Sequence, residues 1–229
     1  MYQRILRTPL KSKRYKYSDC GYYFVRQIVY EQSGKTLDQF AMDEFYKPMG
    51  LRYTCYNPSD YFPLKQIAPT ENDTIFRNQL VHGYVHDPGA AMIGGVGGHA
   101  GLFTNAGDLA ALMQMFLNKG EYGGRRYIES VVLDEYTKCQ YCPGNRRGAG
   151  FDKPMTNGKG GTAHKKASMA SYCHSCFTGT LAWADPVHKV NYVFLSNRVY
   201  ESAENWKIVK MSTRTEIQRV IYEALEQRK

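Results

Sequence analysis

Several things are missing from this sequence, and each absence excludes a class of protein. No stretch of about 18 consecutive apolar residues occurs, so no membrane-spanning helix is expected. The opening MYQRILRTPL carries charges but no apolar core segment, so it does not read as a secretory signal. There is no internal repeat, no low-complexity tract and no dividing linker, so residues 1–229 read as a single domain. Acidic residues are in deficit: 30 Lys and Arg against 21 Asp and Glu leave a net charge of +9. Such a charge invites a nucleic-acid reading, but no basic helix or RNA-binding motif accompanies it. The expectation is a solvated basic face and no nucleic-acid partner, with much of the excess between Arg4 and Lys16 and after Lys119.

What is present suits a globular protein. Hydrophobic residues make up 43% and charged residues 22%, and 229 residues suffice to bury a core. Six cysteines occur, four of them in two C-x-x-C pairs, CQYC (Cys139, Cys142) and CHSC (Cys173, Cys176). That spacing can present four thiolates to zinc, although the pairs lie further apart than in a zinc ribbon. Small buried thiols, or one disulfide, are the competing reading. The segment from His82 to Thr104 holds seven glycines in 23 residues, yet its Ala, Met, Ile, Val and Phe argue against a flexible linker. It lacks the G-x-x-x-x-G-K-[ST] phosphate loop. His82, His86, Asp87 and His99 are suitable metal-ligand types in no defined spacing. A buried loop beside a cleft is the reading that fits best.

Periodicity and caps give the elements. Ser18-Asp19 caps a helix with Tyr22, Val25, Ile28 and Val29 on one face, ended by Gly34. Thr36 caps a second, with Leu37, Phe40, Ala41 and Phe45, stopped by Pro48-Met49-Gly50. Residues 51–69 are polar and read as an ordered loop. Thr104 or Asn105 caps a helix from Ala106 to Asn118 that carries Leu109, Leu112, Met113 and Phe116. A shorter helix covers Glu129 to Thr137, and a strand is expected at Ala149-Gly150-Phe151. Phe177–Ala184 and Val190–Ser196 read as two strands joined by a turn at Asp185-Pro186. The apolar run NYVFL suggests that the second is covered on both faces and central in its sheet. Ser212 caps a last helix, with Ile217, Val220, Ile221 and Leu225 turned to one face of that sheet.

Tyr17-Ser18-Asp19 stands at a helix mouth, where the dipole favours negative charge and a tyrosine can serve as a base. Taken alone the triplet is an N-cap. It is followed by FYKPMGLRYT, by GGVGGHAGLFTNAGDLAAL, and by His174-Ser175-Cys176 before FTGT. This ordered set resembles the serine β-lactamase-like family of class C β-lactamases, D-alanyl-D-alanine carboxypeptidases and related esterases. The runs GYVHDPGAAMIGGVGGHAGLF and FLSNRVY…RTEIQRVIYEAL are similar to a narrower group. It is the β-lactamase-like domain fused behind family 3 glycoside hydrolase (β-N-acetylglucosaminidase) modules in Bacteroidetes-type proteins.

The resemblance implies an α+β sandwich, an antiparallel sheet flanked by helices. It implies acyl transfer to a serine of S-x-x-K, on an amide or ester that can be peptidoglycan-derived. No cofactor is implied. By position Tyr17 would be the base, His174 its electrostatic partner and Ser175 the hydroxyl that holds substrate. Asp19, Cys176, Phe177 and Arg198 would contact substrate, in one cleft with the 94–101 loop nearby. No S-x-x-K precedes Tyr17: Ser12–Tyr15 reads SKRY, and Ser33–Thr36 reads SGKT. The chain is therefore expected to begin inside the domain, without the nucleophile helix, and to be inactive alone. Cys173 and Cys176 stand where the family has glycine. The resemblance also places the parent protein outside the cytoplasm and makes a glycoside hydrolase module its possible partner. Two alternatives remain open at this point: a silent module that binds cell-wall fragments, and a cysteine-metal protein.

Overall fold

The computed structural model describes residues 1–9, 12–13, 15–142, 145–155 and 163–227. The chain divides into two compact units, Met1–Thr104 and Asn105–Lys229.

The first unit contains α1 (Tyr2–Arg7), α2 (Cys20–Ser33), α3 (Leu37–Ala41), β1 (Cys55–Tyr56), β2 (Pro69–Asp73), β3 (Gln79–His82), α4 (Pro88–Ala91) and β4 (Leu102–Phe103). α2 forms where expected, with Asp19 at its N-cap. Gly34 closes it at φ 71°, its N–H donating to the Tyr30 carbonyl at 2.8 Å. The buried side of α2 differs from the expected one. Val25 and Ile28 are exposed, and Tyr23 is buried instead. Tyr23 packs on the His99 ring at 4.6 Å between centroids, which turns its own side of the helix inward. Thr36 and Gln39 form a capping box on α3, which runs on as a π-helical turn over Met42–Tyr46.

β1 pairs antiparallel with β4, so the polar loop that follows α3 is tied to the end of the glycine-rich segment. That segment is packed, as expected. Gly101 has φ 115°, and a Cβ there would lie 2.0 Å from the Gly95 carbonyl oxygen. The β2–β3 hairpin was not anticipated. Its sequence, PTEND and QLVH, shows little apolar alternation because charge holds it. The Asp73 carboxylate accepts from the N–H groups of Ile75, Phe76 and Arg77 and from Arg77 Nε at 2.7 Å. The Arg77 bond, with the backbone donors, holds the Asp73 carboxyl well below the usual carboxylate range.

The second unit contains α5 (Ala106–Leu117), β5 (Glu121–Tyr122), β6 (Arg125–Arg126), α6 (Ser130–Thr137), β7 (Tyr172–Ser175), β8 (Leu181–Asp185), β9 (Val190–Phe194), α7 (Lys207–Lys210) and α8 (Thr213–Glu226). Asn105, not Thr104, caps α5: its Oδ1 accepts from the Asp108 N–H at 2.8 Å. The main sheet is antiparallel in the order β7-β8-β9. Two expectations need correction here. The first strand starts at Leu181 rather than Phe177, because 177–180 is the turn that joins it to β7. β9 lies at an edge among the described residues, while β8 is central. The apolar run in β9 reports its two covered faces and not its place in the sheet.

Period-two alternation sends Cys173, Leu181, Trp183 and Tyr192 to α8, where they meet Ile217, Ile221, Tyr222 and Leu225. Tyr172, Ala182, Ala184 and Val193 go to α5, meeting Leu109, Met113 and Phe116. Two helices therefore sandwich the sheet, as expected for α8. Val220, placed on the buried face by periodicity, is exposed, and Gln218 and Tyr222 are buried instead. Tyr222 is drawn in by its hydroxyl, which donates to Asp185 Oδ2 at 2.8 Å. No strand forms at 149–151. The ladder bonds fall at Asp152, whose N–H donates to the Cys173 carbonyl at 2.8 Å. The sequence also reads as a Gly-, Arg- and Asn-rich loop from Gly144 to Lys159 around the expected strand, and part of this stretch lies outside the described residues. Among the described residues, no helix is long and apolar enough to cross a membrane.

Candidate active site

In the first unit, Tyr17 is exposed just ahead of α2. Ser18 Oγ accepts from the Cys20 N–H at 3.2 Å, so of the Ser18-Asp19 pair it is Ser18 that satisfies a helix donor. Asp19 makes no side-chain capping bond. The four metal-type residues of the glycine-rich segment separate. His82 Nε2 bonds the Ile67 carbonyl at 2.6 Å, and His86 Nδ1 lies 2.9 Å from Glu71. His99 Nε2 lies 3.0 Å from Asp87 Oδ1, and Asp87 also caps α4 through the Ala90 N–H. The His99 bond holds the Asp87 carboxyl below its ordinary value, against the effect of burial. Among the described residues no group of three or more His, Cys, Asp or Glu is placed to hold a metal ion. The Asp87–His99 pair fastens the loop beneath α2.

In the second unit, His174 and Ser175 lie in β7 and Cys176 directly follows it. His174 pairs with Ala182, and Ser175 with Leu181. Alternation therefore places His174 and Cys176 on one side of the sheet and Ser175 with Cys173 on the other. Cys173 is fully buried against α8, while Cys176 is exposed. The residue is exposed overall, yet desolvation by the protein around the sulfur pushes the Cys176 thiol up; hydrogen bonds with His174 and Thr180 and the charges of His174 and Arg214 outweigh it. The thiol ends below its ordinary value. The CQYC pair closes as a Cys139–Cys142 disulfide.

The turn after β7 is tightly built. Cys176 N–H donates to the Thr180 carbonyl at 3.1 Å, and Gly179 N–H to the Cys176 carbonyl at 3.0 Å. Gly179 has φ 101°, and a Cβ on it would meet Ser196 Oγ at 2.4 Å. Arg214 Nη1 donates to the Thr180 carbonyl at 3.2 Å. Arg198 is 5% exposed. Its Nε donates to the Phe177 carbonyl at 2.7 Å and its Nη1 to the Ala203 and Asn205 carbonyls. The guanidinium lies over the rings of Phe177 (4.2 Å) and Trp206 (3.8 Å). Arg198 thus braces the backbone on which Phe177 sits, and its Nη2 is buried without a hydrogen-bond partner among the described residues. Thr180 and Arg214 were missed from the sequence; the FTGT run was the only pointer to the first. Tyr17 and Asp19 belong to one unit and His174, Ser175, Cys176, Phe177 and Arg198 to the other.

A family model described as Beta-lactamase matches residues 1–211. Over 215 residues the chain is 34% identical to a "Putative D-alanyl-D-alanine carboxypeptidase" of Escherichia coli K12, covering 86% of this chain and 48% of that protein. A protein of the same description from Salmonella enteritidis PT4 is 33% identical over 222 residues, covering 90% and 51%. The chain thus spans about half the length of the curated relatives it matches. Among solved structures, a mutant simvastatin synthase from Aspergillus terreus superposes with a TM-score of 0.69 at 14% identity, covering 99% of this chain and 59% of that one. A β-lactamase from Mycobacterium bovis gives 0.62 at 14%, covering 91% and 65%. A penicillin-binding protein homologue from Caulobacter crescentus gives 0.57 at 20%, covering 83% and 54%. At these identities the structures speak for the fold alone, a mixed α+β architecture. With the family match running over nearly the whole chain, this protein belongs to the β-lactamase family of serine hydrolases.

Proposed function

We propose that this chain is the part of a carboxypeptidase-type serine hydrolase that carries the proton-transfer and substrate-holding groups, and that it does not turn over substrate alone. The supporting observation is the family match over residues 1–211, which takes in Tyr17, the 94–101 loop and His174–Arg198 together. Tyr17 acts as the base. His174 supplies positive charge when protonated, and Ser175 hydrogen-bonds the substrate. Asp19, Cys176 and Phe177 contact the substrate around them, and Arg198 holds the Phe177 backbone in place. The substrate class is a peptidoglycan-derived amide or ester, by analogy with the carboxypeptidase relatives, which would put the site of action outside the cytoplasm.

Covalent acyl transfer needs a hydroxyl within reach of its activating base. No serine in this sequence is followed three residues later by lysine. The test is labelling with a fluorescent penicillin. The 229-residue chain alone is expected to remain unlabelled after hours. Stoichiometric labelling that disappears in Ser18→Ala or Ser175→Ala would overturn the reading and identify the substitute nucleophile.

A further inference from the structure

A second chemical site lies in the Asn105–Lys229 unit, at the opposite end of β7 from His174. A cavity of about 340 Å³ opens there, within the size range of small-ligand sites. Phe116, Leu133, Met169 and Tyr172 give it apolar walls. Lys153 also lines it and is only 6% exposed. Its Nζ donates to the Ala170 carbonyl at 2.9 Å and lies 5.7 Å from the Tyr172 ring centroid. Both of those residues belong to the cavity wall.

An ammonium has three donors and a full charge, and burying it without an anion is costly. Among the described residues Lys153 forms no ion pair. Asp185 acts on it only at a distance and is already engaged by Ser168, His188 and Tyr222. Asp134, the one acid on the wall among the described residues, is held by Lys119. Lys138, also on the wall, is paired with Glu135. Lys119 and Lys138 are more than half exposed and each is neutralised by its own carboxylate, which leaves Lys153 as the wall cation without an anion among the described residues.

We propose that this cavity binds a small monocarboxylate with an apolar body, its carboxylate on Lys153 and its chain against Phe116, Leu133 and Tyr172. The ligand completes the hydrogen bonding of a buried cation and fills apolar space. Burial pushes the Lys153 amine down to about 8, against the charges of Cys173 and Asp185. A carboxylate beside it would raise that value, so binding weakens as the pH climbs past 8.

The experiment is calorimetric titration of the full chain with octanoate, with 1-octanol as the uncharged counterpart. Octanoate is expected to bind saturably at one site at pH 7, roughly tenfold or more tighter than 1-octanol, as a charge-assisted bond predicts. Lys153→Met, which keeps the apolar stem, should abolish that preference, and pH 9.5 should weaken octanoate alone. Equal octanoate affinity in Lys153→Met, or no saturable binding at millimolar octanoate, overturns the proposal. Should the variant fail to fold, the unaltered chain decides the matter. Octanoate must then shift the Met169 methyl resonance on the same titration curve, and an unmoved resonance refutes the site.

Discussion

Tyr222→Phe tests how the sheet of the second unit is fixed to α8. The hydroxyl it removes donates to Asp185 Oδ2 at 2.8 Å and accepts from Trp183 Nε1–H at 3.1 Å. All three side chains are buried. Burial, and after it Asp185, pushes the Tyr222 phenol well above its ordinary value, so it stays a donor. A bond to a charged group contributes about 1.5–3 kcal/mol. Asp185 keeps donors from Ser168, Val187 and His188, which puts its loss at the lower end. The Trp183 N–H keeps none of the bonds described and adds about 1–3 kcal/mol as an orphaned buried donor. The expected loss is about 3 kcal/mol in all. Both tryptophans, Trp183 and Trp206, lie in the second unit, so urea unfolding followed by tryptophan fluorescence reports on it. Burial alone would raise the Asp185 carboxyl, but its donors outweigh that and hold it well below the carboxylate range. A depressed carboxylate contributes stability above its unfolded value near 4 and loses it as the pH falls further. The difference between the two proteins should therefore persist at pH 5–8 and shrink only well below 4. A loss under about 1 kcal/mol at unchanged m would refute the assignment of this hydroxyl.

Gly179→Ala should destabilise the same unit by about 1–3 kcal/mol, from the positive φ and the close Ser196 contact. The same fluorescence transition measures it, and an unshifted midpoint counts against the turn. Iodoacetamide followed by peptide mapping at pH 7 should modify Cys176 ahead of Cys55, which is buried and pushed up by that burial. His174→Ala should slow the Cys176 reaction and move its pH profile upward, because the thiolate loses its donor. An unchanged profile would remove His174 from the pairing.

Much of the fold was legible because caps and periods are local. Ser18 and Gly34, Thr36 with Gln39, and Asn105 mark helix ends by chemistry that needs no tertiary knowledge. The Asp185-Pro186 turn and the apolar runs on either side of it gave β8 and β9. What was not legible depended on distant partners. The β2–β3 hairpin is held by Arg77 and two acids in place of an apolar face, so it carries little alternation to detect. Tyr23 and Tyr222 are buried by a ring and by a carboxylate from elsewhere in their units. Those contacts rotate the inward side of α2 and α8 away from the most apolar stripe. The site suffered from a boundary error. Starting the strand at Phe177 left His174-Ser175-Cys176 just ahead of it, where no alternation was applied. Beginning at Tyr172, β7 separates His174 from Ser175 and pairs it with Cys176.

The two cysteines that stand where the family pattern has glycine therefore differ in consequence. Cys173 points at α8, opposite Trp183 in the ladder, and its side chain fills core beside Leu181 and Tyr222. An added side chain there lies on the far side of the strand from His174, so it can strengthen packing without entering the site. Cys176 is three residues on, and alternation turns it to the His174 side. Its backbone N–H and C=O are both used in the turn that Gly179 and Arg214 hold shut. The thiol thus sits on a fixed backbone next to the His174 imidazole, on the side of β7 that His174 faces. In the proposed reading, a substrate lying along β7 must either be slimmer at Cys176 than one facing glycine or make use of the sulfur. Under the proposed function only the second of the two cysteines bears on specificity, and the strand register, more than the residue type, decides which one it is.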